Sequence, residues 1–506
     1  MNGLRIGWAS RDVSTDKPIS IPGQFHIRVS KGVMDPVTTT ALVLDDGNDC
    51  VVFVSCDLVV MRSGLLDEIR AKTRALRPEI PTEKILASAT HTHTGPSHYR
   101  EGRNTQATGS LNDEIPLHGI EIYSSDLYRA ELSAAVSEMI VEAWDKRAPG
   151  GIAYGYGYAV VGHSRRVCYF DDVSTRPGAV KDSTYGIHGH AVMYGNTDDP
   201  NFSHYEAGAD HFVNLLYTFD AGGRLTGAIV NIPCPSQNSE DEEKLSADYW
   251  HDVRTTIRQK HGDIFILPQC AAAGDLSPRI LHYKKAQQRR FRLKYGEGIK
   301  TEMCARRDIA ERVGICFDEV LSWAKKDIRS DVRIDHRVSQ IRIARRIISE
   351  DEYRNAVQEL EKEMHSEFVD TGDSEKDLRY NSILVARRNR YRGVIDRWEL
   401  QKTEKTLPME LHVLRVGDIA FASNRFELYM DYQHRIQARS PFEQTFIIQL
   451  AGQPGDEGGT YLCTERGEAN RSYSASVFCN QASPAAGQQI VEETVRQLKA
   501  IYEQQK

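Results

Sequence analysis

A mixed α/β fold, with β-sheets flanked by helices in one large catalytic domain and a charged helical insertion, follows from three features of the sequence. Apolar runs of strand length recur along the chain, amphipathic stripes of helical period lie between them, and several strand-like runs end in short polar motifs. The expected organisation is a first catalytic part over 1–283, the insertion over 284–405 and a closing catalytic part over 406–506.

The chain has 506 residues, 40% hydrophobic and 27% charged, enough to bury a large core. No apolar run approaches membrane-spanning length, and the first residues, Met1 to Trp8, enter a strand-like segment without the regions of an export signal. Nine cysteines are scattered without a CxxC pair, which suits reduced thiols, so the expected location is the cytoplasm. A formal charge of -7 argues against nonspecific nucleic-acid binding. The basic run from Lys284 to Arg307 does not reverse this, because it holds few aromatic residues and no nucleic-acid module. The expected partner is a small-molecule substrate, with a homo-oligomer contact as one use of the charged insertion.

Taken in order, residues 40–44 and 51–55 read as strands around an Asp-Asp-Gly turn, with Asp57 at the exit of the second as a cap or supporting carboxylate. Residues 63–76 have a helical pattern, and 125–147 carry a clearer apolar stripe through Leu132, Val136, Met139, Ile140 and Ala143. Ile85-Leu86-Ala87 reads as a buried strand running into Ser88-Ala89-Thr90-His91-Thr92-His93-Thr94-Gly95-Pro96. With a period of two, His91 and His93 are expected on one side of the strand exit, where imidazoles can bind a transition metal or move protons. The irregular segments 97–124 and 171–210 read as site walls, and they carry His98, His118, His188, His190 and His204 without ranking them.

Paired arginines at Arg165 and Arg166 can hold a carboxylate, phosphate or developing oxyanion. A hairpin over 211–232 ends in Pro233-Cys234-Pro235, and its prolines place the cysteine rigidly. The strand Ile264 to Leu267 runs into Gly274-Asp275-Leu276-Ser277-Pro278 and delivers Asp275 and Ser277 from a second strand end. Two such ends predict one shared pocket. Segment 284–405 reads as charged helices. After a strand at 419–423, Asn424-Arg425-Phe426-Glu427 reads as the opening of a helix, and a glycine-rich loop from Gly452 to Thr460 leads to Tyr461 and a final amphipathic helix.

The HTHTGP stretch, Leu245-Ser246-Ala247-Asp248, Gly274-Asp275-Leu276-Ser277-Pro278, Asn424-Arg425-Phe426-Glu427-Leu428 and Thr460-Tyr461-Leu462-Cys463-Thr464, in that order, resemble the catalytic domain of the neutral/alkaline (non-lysosomal) ceramidases. The resemblance implies a zinc ion held by His91, Glu427 and Tyr461, with His93, Arg165 (Arg166 if the register slips by one) and Ser277 as further site residues. The family's middle histidine ligand falls on Cys234. Three readings stay open there: a thiolate ligand, a packing cysteine with Asp248, His163 or Gln237 completing the shell, or a metal-free relative. The relatives also carry an export signal and a further carboxy-terminal domain. Their absence from this sequence turns the expected substrate from membrane ceramide to something smaller and more polar.

The expected function is a metal-dependent hydrolase of an amide or ester, with His93 as the proton carrier, Arg165 and Tyr461 steadying the oxyanion and Ser277 orienting substrate or water. Two alternatives are a carbohydrate-active hydrolase using Asp275 and Glu427 as paired carboxylates, and a binding protein without catalysis.

Overall fold

The computed structural model describes residues 3–102, 111, 113–179, 182–183, 186–455 and 458–504, so parts of the loops 97–124, 171–210 and 452–460 lie outside the described residues. Eight strands build the larger sheet: β1 (Arg5–Asp12), β2 (Thr38–Asp45), β3 (Cys50–Cys56), β4 (Ile85–Ala89), β5 (Ala148–Tyr158), β6 (Phe212–Asp220), β7 (Leu225–Ile232) and β8 (Phe265–Cys270). Their order is β8-β7-β6-β5-β1-β2-β3-β4. Only the edge pairs, β3 with β4 and β7 with β8, are parallel. Each needs a crossover, and the helices α1 (Leu65–Leu76) and α3 (Tyr249–His261) supply them. The sheet curls until β8 lies in contact with β4, which brings the outgoing ends of both edges together.

A second sheet packs face to face on the first. It consists of β9 (Ile334–Ala344), β10 (Thr406–Val416), β11 (Ile419–Ser423) and β12 (Gln444–Ile448) in that order. Period-two alternation sorts their side chains. Leu414 and Phe421 join Leu44, Phe53, Leu86 and Leu267 between the sheets. Their neighbours Val413 and Ala422 face outward instead, against α8 (Met430–Arg439) and the final helix, Pro484–Glu503. On the other side, α1 and α2 (Ser125–Asp145) cover β2 to β4, while α3 and α5 (Thr301–Ala324) cover β5 to β8. This is the mixed α/β arrangement expected from the sequence. Among the described residues, no helix is long and apolar enough to cross a membrane.

The segment 284–405 departs from a purely helical reading. It holds the helices α4 (Lys284–Tyr295), α5, α6 (Glu350–Met364) and α7 (Ser374–Leu400), but also β9, which pairs with β10 over its whole length. The alternating apolar positions Ile341 and Ile343 lie among arginines, and the charges mask a strand period. Segment 166–205 likewise contains a small sheet, with Arg166–Tyr169 between Ala191–Met193 and Phe202–Tyr205.

The helix α2 lies close against β1 because Gly7 has no side chain: a Cβ there would sit 1.9 Å from the Ala143 carbonyl oxygen. Gly7→Ala is therefore expected to push helix and strand apart and to lower stability by about 3 kcal/mol, read as a drop in the urea midpoint at unchanged slope.

Candidate functional site

His91 does not sit on a strand. The chain leaves β4 at Ala89, and His91 takes a left-handed backbone conformation with φ 64°. This turn, and not strand alternation, brings His91 and His93 together, with Nε2 of one 3.4 Å from Nε2 of the other. Nδ1 of His91 donates to the Val59 carbonyl oxygen at 2.6 Å. A carbonyl only accepts, so Nδ1 carries a proton, and in the neutral ring Nε2 is then bare. Nε2 faces Oε2 of Glu427 at 3.2 Å.

Glu427 does not open a helix. With Leu428 it forms a two-residue strand parallel to Tyr461–Leu462, and the register sets Glu427 opposite Tyr461. Backbone pairing thereby fixes two side chains far apart in sequence in one pocket. Gly274 allows the close approach of the β8 exit, since a Cβ there would lie 2.3 Å from the Glu427 carbonyl oxygen. Burial pushes the Glu427 carboxyl up, but His91, Arg165 and Tyr461 together hold it below its ordinary value.

Arg165 is buried and spans the pocket. Nη2 donates to the Tyr461 hydroxyl at 3.1 Å and to the Gly274 carbonyl at 2.9 Å, and lies 3.8 Å from Oε2 of Glu427. Nη1 donates to the Tyr194 hydroxyl and to Oε1 of Gln237, each at 3.3 Å. Arg166 points the other way, into a buried pair with Glu206 at 2.5 and 2.8 Å. Of the two arginines, Arg165 is therefore the one that faces Tyr461 and Glu427. Ser277 accepts from Tyr194 at 3.4 Å and from the Arg279 backbone at 3.2 Å, which places it on the far side of Arg165 from Glu427.

Cys234 is not brought into this cluster. Its side chain packs in the core with Val161, Ala247, Tyr249 and Trp250. The Tyr249 hydroxyl and the Cys270 thiol both donate to its carbonyl, which with the flanking prolines fixes its backbone. Burial, then Cys270 and Asp248, push the thiol well above its ordinary pKa. Nor does Asp248 or His163 fill the place. The Asp248 carboxylate takes the Ser239 and Tyr249 backbone N–H groups at 2.6 and 2.7 Å, and His163 lines a separate cavity of about 320 Å³ beside α4 and α5.

Asp275 is also committed elsewhere. Oδ1 accepts from the Met430 backbone at 3.0 Å and caps the first turn of α8, and Oδ2 is buried without a partner. Of its two oxygens, one is thus taken up by the start of α8. Asp57 is a supporting residue: it is buried, forked by Arg254 at 2.7 and 3.1 Å, and accepts from Thr38. Among the described residues, the one group with three His, Cys, Asp or Glu ligand atoms mutually within 4.8 Å is His118, Asp370 and Asp377, outside this pocket. There Asp377 already accepts from the backbone and hydroxyl of Thr371, and Asp370 is exposed.

Three residues of the pocket were not singled out from sequence. Tyr194 stands in an irregular stretch, Arg279 follows a proline, and Glu240 lies in an acidic run, Glu240-Asp241-Glu242-Glu243, that reads as a solvated loop. Glu240 is buried, with Oε2 3.1 Å from Nδ1 of His93 and Oε1 2.5 Å from Nη2 of Arg279. Burial raises its carboxyl, but His93, Arg279 and Arg165 hold it down at about 2. Burial lowers the His93 pKa, and the bond to Glu240 opposes it.

The whole chain superposes on two solved structures. One is neutral ceramidase from Pseudomonas aeruginosa, at 17% identity and a TM-score of 0.65, covering 100% of this chain and 75% of that one. The other is a ceramidase complexed with C2, at 15% identity and a TM-score of 0.63, covering 100% of this chain and 76% of that one. The chain thus has the neutral ceramidase fold. No protein-family description matches it, and no curated protein matches it.

Burial raises Asp275 from 3.8 to about 6, so the folded chain binds this proton more tightly than the unfolded chain. Its contribution to stability is complete below about pH 4 and is lost as pH rises through about 6. Asp275→Asn is expected to raise stability at pH 8 by about 1–3 kcal/mol and to change it little at pH 4. Equal effects at both pH values in denaturant titrations would show that charge is not the cause.

Proposed function

We propose that this protein is a metal-dependent hydrolase of an amide or ester bond in a small polar substrate. The observation that carries the reading is Nε2 of His91 facing a buried carboxylate oxygen of Glu427 at 3.2 Å. A cation satisfies such a contact, either a proton on Nε2 or a metal ion, and the imidazole, carboxylate and phenol gathered here fit a bound metal. His91, Glu427 and Tyr461 would hold it. Three protein ligands with an open position is the arrangement of catalytic rather than structural zinc, and it does not call on Cys234.

When bound, zinc supplies Lewis acidity and lowers the pKa of a bound water towards neutrality. The chain's own residues account for the rest. His93, beside the His91 nitrogen, is the group that accepts a proton at Nε2 and returns it to the leaving group. The Arg165 guanidinium, buried and already donating to two phenols, offers positive charge to an oxygen that becomes anionic during attack. Ser277, through Tyr194, extends this polar wall and orients substrate. Glycosidic cleavage is less well supported, because the Asp275 carboxylate is taken up by the start of α8.

Protein purified without chelator is expected to carry about one equivalent of metal per chain. It is also expected to hydrolyse members of a panel of short N-acyl amino acids and acyl esters. His91→Ala and Glu427→Gln should lose the metal and lower kcat/KM by on the order of 10²-fold or more. Cys234→Ser should keep its metal and cost only about 1 kcal/mol of stability. Full hydrolysis by metal-stripped protein would overturn the proposal, and loss of metal from Cys234→Ser would return the thiol to the ligand set.

A further inference from the structure

We infer that the cavity between α4, α5 and the segment 278–283 is a binding site for a small organic anion, a carboxylate on an apolar body, separate from the pocket of His91 and Glu427. Helical spacing builds two of its walls. Ala305, Asp308, Ile309 and Arg312 recur at intervals of three and four on one face of α5, and Gln287, Arg290 and Phe291 do so on the facing side of α4. Pro278 and Ile280 close a third side. They alternate with Ser277 and Arg279, which reach Tyr194 and Glu240 in the other pocket, so one short stretch of chain is the wall between the two spaces.

The charges around this cavity are unbalanced. Arg290, Lys294 and Arg312 all lie against the one buried carboxylate of Asp308, at 2.7, 2.9 and 3.3 Å, and Glu311, paired with Lys294, adds a second carboxylate. α4 brings Lys284, Lys285, Arg289 and Arg292 as well, and it has no acidic residue. Among the described residues, no hydrogen bond reaches Nη1 of Arg290 or Nη1 of Arg312. Burial pulls the Arg312 pKa below its ordinary value although Asp308 opposes it, as happens to a cation short of counter-charge. His163, half-buried in the same wall, has no hydrogen-bond partner on its ring among the described residues. Burial and then Arg312 push it down to about 4, so at neutral pH it offers one donor and one acceptor without charge.

An inorganic ion would answer the guanidinium groups and leave the apolar wall of Pro278, Ile280, Phe291 and Ile309 uncovered. A neutral apolar molecule would cover that wall and leave the charge as it stands. A carboxylate carried on a short apolar body does both, its oxygens accepting from the free guanidinium N–H groups and its body packing on the wall. The volume of about 320 Å³ is room for about ten water-sized groups, the size of a medium-chain or aromatic monocarboxylate. The uncompensated basic face of α4 draws such an anion towards the cavity.

Calorimetric titration of the protein with octanoate, 1-octanol, acetate and inorganic phosphate tests the inference. Octanoate is expected to bind saturably at one site and the other three at least about tenfold more weakly, since each lacks either the charge or the apolar body. Ala305→Phe, which fills the cavity, and Arg312→Gln, which removes a charge, are each expected to weaken octanoate binding by at least about tenfold. His91→Ala is expected to leave it unchanged. Arg290→Gln, on exposed α4, takes the place of Arg312→Gln if that variant does not fold. No saturable binding of octanoate would overturn the inference, and so would equal binding of 1-octanol, acetate or phosphate. Loss of binding in His91→Ala with retention in Ala305→Phe would put the ligand in the other pocket and overturn it as well. The inference does not rest on the hydrolytic reading: binding without hydrolysis fails only that reading, and hydrolysis without binding only this one.

Discussion

The backbone junction at Gln449 and Leu450 is the constraint on which the pocket depends. The Gln449 N–H donates to the Cys270 carbonyl at the end of β8, and the Leu450 carbonyl accepts from Ala89 at the end of β4. The exit of β12 in the second sheet thus joins both edge strands of the first. The buried Gln449 side chain adds bonds from Ala273 and Leu428, each at 3.0 Å. Three segments that supply pocket residues leave from or beside this junction: His91 after β4, Ser277 after β8, and Glu427 after β11. A curled sheet leaves open edges whose polar groups need partners, and satisfying them here also sets the spacing of the functional side chains.

Around the junction the backbone adopts conformations that side chains disfavour. His91, Tyr194, Asp248 and Leu450 all have left-handed φ values, between 54° and 64°. Each costs on the order of 1–3 kcal/mol and persists only where the surroundings over-determine it. At His91 the compensation is the bond to Val59, at Tyr194 a 2.7 Å bond to the Arg165 carbonyl, and at Asp248 the capped start of α3. Strain therefore gathers at the residues that aim imidazole, phenol and guanidinium into one small volume. The surrounding core of interlocked sheets is stiff enough to hold it.

Much of this was legible from the chain, for reasons specific to each element. Val51 to Ser55 reads as a strand because it is a short, continuous apolar run packed on both faces, and α2 shows a stripe because one face meets a core. His91, Glu427, Tyr461 and Arg165 stand in short motifs at strand exits, and the structure brings them together. The period of β9 was hidden by its arginines, and the left-handed turn at His91 cannot be read from alternation. The three readings of Cys234 stayed open in the sequence because flanking prolines fix a backbone without saying which way a thiol points. Glu240 was missed because three further acidic residues follow it and only the fold distinguishes the buried one. Asp275 read as chemistry because a carboxylate at a strand exit and a carboxylate at a helix start look alike in one dimension.

Cys234 and Glu240 belong to one loop, and their placements are best understood together. The loop leaves β7, turns Cys234 into the core beneath α3, and then brings a carboxylate against the outer nitrogen of His93. Cys234 packs in the core, while Glu240 sets a buried carboxylate against His93 rather than against Glu427. Two anions directly beside the His91–Glu427 centre would weaken its pull on an incoming oxygen, whereas an outer carboxylate raises the basicity of the imidazole it touches and leaves the centre's charge nearly intact. The buried arginines are arranged in the same sense. Arg279 partly neutralises Glu240, while Arg165, only 3.8 Å from Glu427, keeps net positive character where negative charge would develop.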